Sequence, residues 1–105
     1  MMNAPLIRVV VYREDDWWII HGLDYEFVTL ARRLEDVPGE IRRWLTVLFA
    51  ASQERGIEPF YGYSPAPRRF WKMYERAEPW SEPVPPIELP GNQGSGPAVD
   101  TRLAA

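Results

Sequence analysis

Three arginine pairs, one histidine and a run of aromatic rings are the side chains of this 105-residue chain best suited to chemistry. Arg32-Arg33, Arg42-Arg43 and Arg68-Arg69 supply half of its 12 cations, and the last pair runs into Phe70-Trp71-Lys72. Arginine beside aromatic rings can hold a phosphate backbone while stacking bases. The opposing reading makes these pairs solvated faces, balanced by Glu35, Asp36, Glu40 and Glu75. Residues 4–80 hold 11 cations against 12 anions, and the whole chain carries −3. That balance argues against a broadly basic nucleic-acid binder, and an RNA- or DNA-binding module stays the alternative.

Catalytic readings find less support. His21 is the only histidine, and it sits in an apolar stretch beside Trp17 and Ile19. A general base also needs an orienting partner and a nucleophile or water site. Two-metal phosphodiester chemistry needs several carboxylates converging from strand ends. The first apolar run carries no acid, however, and Asp15-Asp16 falls where a turn wants polar residues. No H-E-x-x-H, G-x-S-x-G or phosphate-cradling glycine loop is present. The absence of cysteine excludes a disulfide scaffold, a thiolate zinc site and a cysteine nucleophile, and fits a reducing cytoplasm. A non-catalytic chain without metal or cofactor is the expectation.

The elements that must position these residues follow from periodicity. Leu6 to Tyr12 is rich in β-branched residues, with Ile7, Val9 and Val11 on one wholly apolar face. The charged turn Arg13-Glu14-Asp15-Asp16 leads into a second strand, Trp17 to Leu23, and so short a link makes an antiparallel hairpin. Phe27 to Ala31 reads as a third strand, completing a three-stranded antiparallel meander. A helix is expected from Asp36 as N-cap, with Pro38 in its first turn and Gly56 as C-terminal cap. Its apolar stripe is Val37, Ile41, Trp44, Leu45, Leu48 and Ala51. A short second helix begins near Pro67 or Arg68 and stops before Pro79, while residues 57–63 suit a short edge strand or an extended crossing.

Proline divides the chain. Nine of the 11 prolines fall at or after Pro59. From Ser81 onward there is one cation and no aromatic, a composition too poor in apolar surface to offset the ordering cost of about 1–2 kcal/mol per residue. The expectation is an α+β domain over residues 4–80 and a disordered Pro/Gly-rich tail over 81–105, partly polyproline-like around Val84-Pro85-Pro86. The first five residues lack the character of a secretory signal. The longest uncharged stretch before the tail, Trp44 to Gln53, has 10 residues, short of the roughly 18–20 that span a bilayer. A cytoplasmic location without membrane contact is expected.

The second strand is apolar on both faces, with Trp17, Ile19 and Leu23 on one and Trp18 and Ile20 on the other. One helix covers one face. Segment 57–80, a second copy of the chain or a different protein must cover the rest. Half of the 14 aromatics lie in that segment, and aromatics are enriched both in small cores and at interface centres. Trp17, Trp18, Tyr61, Tyr63 and Trp71 are the candidate contact residues for a partner or a homodimer.

The stretches Arg8 to Ile20, Phe27 to Ala31 and Leu34 to Ile41, with Pro59 to Pro67 and Phe70-Trp71 further on, resemble the HicB-like antitoxin family over residues 6–77. The resemblance implies a partly formed ribonuclease-H-like β-β-β-α unit. It also implies a bacterial, non-catalytic domain that dimerises and blocks a small ribonuclease toxin by covering its active site, or an orphan relative of that kind. Family members usually continue into a DNA-binding domain. The Pro-rich stretch stands in that place here, so operator binding is not expected.

Overall fold

A computed structural model describes residues 6–80, 84 and 98–104. Strand β1 (Leu6–Glu14) turns at Asp15-Asp16 into β2 (Trp17–Gly22), and β3 (Phe27–Ala31) lies antiparallel on β2. Asp15 sits at φ 55°, a conformation that a short polar side chain tolerates at a tight turn. The expected meander therefore forms. The apolar face of β1 goes where its pattern points, with Ile7, Val9 and Val11 fully buried.

Helix α1 (Val37–Arg55) ends on Gly56 at φ 70°, as the left-handed cap position requires. Its start differs from expectation. A 3-10 turn over Leu34–Asp36 runs straight into the helix, so Asp36 already has helical backbone and makes no side-chain cap hydrogen bond. The buried ridge is Val37, Ile41, Leu45, Phe49 and Ser52, with Trp44 and Leu48 on its flank and Ala51 exposed. Helix α2 (Arg68–Arg76) follows Pro67 as predicted.

Two further expectations are corrected. Residues 57–63 form turns rather than an edge strand, with Tyr61 N–H donating to Glu58 and Tyr63 N–H to Phe60. Phe60 takes φ 67°, unusual for an aromatic residue. In return its ring is buried, stacked on Tyr25 at 4.2 Å and edge-on to Phe49 at 5.8 Å.

The larger correction concerns the tail. Within 81–105, Ala98–Leu103 forms a strand, β5, which lies parallel to β1 with Leu6 opposite Ala98 and Val11 opposite Leu103. A two-residue strand β4 (Glu78–Pro79) pairs with its outer edge. The sheet is thus mixed and five-stranded, in the order β3-β2-β1-β5-β4. The folded unit extends past residue 80 because β5 alternates in the manner of a buried strand. Val99 and Leu103 join the core under α1, with Thr101 buried between them, while Asp100 and Arg102 reach partners on the other face. Of the polyproline-like stretch only Val84 is described, and it packs against the α1-side core; Pro85 and Pro86 lie outside the described residues.

Two cores result. The larger joins α1 to Ile7, Val9, Val11, Ile20 and Phe27, and the smaller joins α2 to Val10, Leu23 and Ala66. Among the described residues no helix is long and apolar enough to cross a membrane.

Candidate functional site

Segment 57–80 covers the second apolar face in part. Helix α2 lies over its centre, where the Phe70 ring stacks on His21 at 3.9 Å and Tyr74 is buried against the sheet. His21 is itself buried, with Nε2 2.9 Å from a Glu26 carboxylate oxygen and Nδ1 3.3 Å from the Tyr12 hydroxyl. A carboxylate can only accept, so Nε2–H donates to Glu26, and with Nδ1 beside the Tyr12 hydroxyl both ring nitrogens are used inside the fold. Burial, reinforced by the Glu14 charge, raises the Tyr12 pKa and keeps that phenol protonated. The histidine therefore fastens the turn before β3 to the sheet.

Further polar ties surround α2. Arg8 Nη1 donates to Asp24 Oδ1 at 2.6 Å, and Arg8 N–H donates to Asp24 Oδ2 at 2.7 Å. The same guanidinium lies 5.8 Å from the Trp71 ring centre. The Tyr74 hydroxyl donates to Asp100, and Arg102 stacks on the Tyr74 ring at 4.1 Å while donating to the Tyr74 carbonyl at 3.3 Å. Burial first, then the Asp100 carboxylate, raises the Tyr74 pKa. Arg8 thus ties the turn at Asp24 to β1, while Asp100 and Arg102 bind α2 to β5. Asp15 and Asp16 stand exposed at the hairpin tip, and among the described residues no three His, Cys, Asp or Glu side chains gather as a metal site.

The five candidate contact residues do not form one patch. Trp18 lies on the α1 side, half-buried against the core, with the Arg13 guanidinium 5.5 Å from its ring centre. Trp71 is half-buried in the α2-side core. Tyr61 is 76% exposed, whereas Tyr63 packs edge-on against Phe60 at 5.7 Å and Trp44 at 6.4 Å. Trp17 lies on the same sheet face as Trp71 but at the other end of the strands, under the Arg32 guanidinium at 4.1 Å.

Trp17 lines an open groove of about 500 Å³ with Leu30, Arg32, Glu35, Asp36 and Glu40, where β3 hands over to α1. Its carboxylates are partly matched, Glu40 by Arg43 at 2.8 Å and Glu35 by Arg33 at 3.4 Å. A second groove of about 530 Å³ is lined by Arg69, Lys72, Met73, Arg76 and Ala104, and it is cationic. Sequence reasoning found Trp17 but missed Leu30 and Val28, which are exposed on the face that α2 leaves open beside β3. The signal was there, since alternation in Phe27–Ala31 puts these two opposite the buried Phe27 and Ala31. Comparison with known proteins finds no matching family model, and neither a curated protein nor a solved structure matches the chain.

Proposed function

We propose that this chain is a non-catalytic protein-interaction domain of the HicB-like kind, which binds a small basic ribonuclease toxin and covers its active site. The observation that carries the reading is the Trp17 groove. An aromatic platform that already stacks on one guanidinium stands beside Glu35, Asp36 and Glu40, and this combination suits incoming Arg or Lys side chains. The β-β-β-α order of residues 6–55 is also the order that the resemblance implies.

Affinity capture from the native host, with mass spectrometry of what co-elutes, tests it. A small basic ribonuclease should co-elute, its activity should fall on mixing with the chain, and Trp17→Ala should weaken the complex by roughly tenfold or more. A clean bait, or a ribonuclease that keeps full activity in the complex, would overturn the proposal.

A second reading has its own observation. Arg68, Lys72 and Arg76 recur at four-residue spacing on α2, and Arg69, Lys72 and Arg76 line the cationic groove. Phe70 and Trp71 are occupied in packing, so this stripe would hold phosphates without stacking bases. RNA or DNA retained at low salt and released with a log–log slope of about −3 would support it.

A further inference from the structure

The outer edge of β3, whose Leu30 and Arg32 also line the Trp17 groove, carries an inference about self-association that does not depend on partner capture. β3 is the last strand of the sheet, bonded to β2 on one side, and among the described residues no strand lies on the other. Its sequence, Phe-Val-Thr-Leu-Ala, contains no proline, no charge and no glycine, so it lacks the usual devices that stop one sheet edge from pairing with another. Val28 is 52% exposed and Leu30 is 43% exposed. Both lie on the α2 face, opposite His21 and Ile19 respectively, beyond the area that the helix covers.

We propose that this edge pairs antiparallel with the same edge of a second copy, with Thr29 opposite Thr29 on the two-fold axis. In that register Val28 stands opposite Leu30 of the other copy, and Glu26 stands opposite its Arg32. All four positions share one face, since Glu26 meets His21 and Arg32 covers Trp17 there. The pairing therefore sets two apolar cross-strand pairs between two ion pairs, and every outward residue meets a complementary one. The free edge of the Glu26 carboxylate is available for this, because its side chain is 39% exposed beside His21.

Neighbouring registers fail on the same residues. A one-residue slip sends each Val28 and Leu30 to the wrong face of the partner sheet. A two-residue slip in one direction sets Glu26 against Leu30, and in the other it sets Val28 against Arg32. Self-complementarity of this kind identifies a second copy, rather than an unrelated strand, as the occupant. Because the two-fold axis of an antiparallel strand pair is normal to the sheet, both α1 helices cover one face of a continuous ten-stranded sheet and both α2 helices cover the other.

Sedimentation of the full chain over a concentration series tests the proposal. The wild type should form a dimer. Leu30→Lys, and independently Val28→Lys, should raise the dissociation constant about tenfold or more while circular dichroism and melting stay near wild type. Glu26→Arg alone and Arg32→Glu alone should each impair self-association, since each sets like charges opposite one another twice. Mixed one to one, those two chains should form a heterodimer in which every charge pair is restored. A chain that is monomeric throughout, a dimer indifferent to both lysine variants, or charge variants that do not recover on mixing would each overturn the proposal. So would a monomer that instead takes up an extended segment of another protein along β3.

Discussion

At Gly22 a single missing methyl group governs the packing of the α1-side core. Gly22 pairs with Phe27, and a β-carbon placed on it would fall inside the van der Waals envelope of the Phe27 ring atoms Cε1 and Cδ1. The ring has nowhere to retreat, because it is buried and stacked on Trp44 at 4.1 Å. Gly22→Ala should therefore lower stability by about 1–3 kcal/mol in denaturant unfolding, the usual range for overpacking. Combining it with Phe27→Leu should return part of the loss by reopening the space. A single change that leaves stability within a few tenths of a kcal/mol would show that the sheet can spread there. No local pattern signals this role, since Gly22 next to Leu23 reads simply as the end of a strand. His21 is legible only in part: its apolar neighbours point to a packed ring, but Tyr12, Glu26 and Phe70, which hold it, come from β1, the turn before β3 and α2.

Among the elements, those with strong local periodicity were legible. The meander and both helices form where alternation, Pro38, Gly56 and Pro67 place them. β5 was not legible, because Ala98–Leu103 carries two charges, follows a Pro/Gly-rich stretch and pairs with the opposite end of the chain. Its stability lies in ties that only the fold creates, chiefly the Tyr74 hydroxyl on Asp100 and Arg102 over the Tyr74 ring. Burial and the Asp100 carboxylate raise the Tyr74 pKa above its ordinary 10.0, so the folded state holds this proton more tightly than the unfolded chain does. The stability that this supplies is fully present below about pH 10 and is lost as pH climbs through the folded pKa. Tyr74→Phe should cost about 1–2 kcal/mol at neutral pH. It should also flatten the alkaline decline in unfolding free energy that sets in above about pH 10. An unchanged alkaline decline would assign that loss to other groups, with Tyr12, whose pKa is also raised, as the first to examine.

At the scale of the molecule the question is which residues make up the folding unit. Residues 4–80 contain every aromatic and both helices, so composition makes them look sufficient. Without β5, however, the inner strand β1 becomes a sheet edge from Leu6 to Val11, and β4 loses the only strand with which it pairs among the described residues. The α1-side core also loses Val99 and Leu103, and α2 loses the Asp100 and Arg102 anchors of Tyr74. Small domains bury only about 60% of their unfolded surface and have little stability in reserve, so losing an inner strand should outweigh the remaining contacts. A chain ending at Trp80 should then show no cooperative melt, weak near-ultraviolet dichroism and concentration-dependent aggregation through the newly bare β1 edge. The full chain should melt in one transition. If the shortened chain instead melts cooperatively near the full-length temperature, β5 is an accessory strand and the meander with its two helices is the true unit. The same comparison bears on the β3 edge. In the proposed dimer the full chain engages β3, whereas aggregation of the shortened chain would engage β1, so Leu30→Lys should suppress the first and leave the second in place.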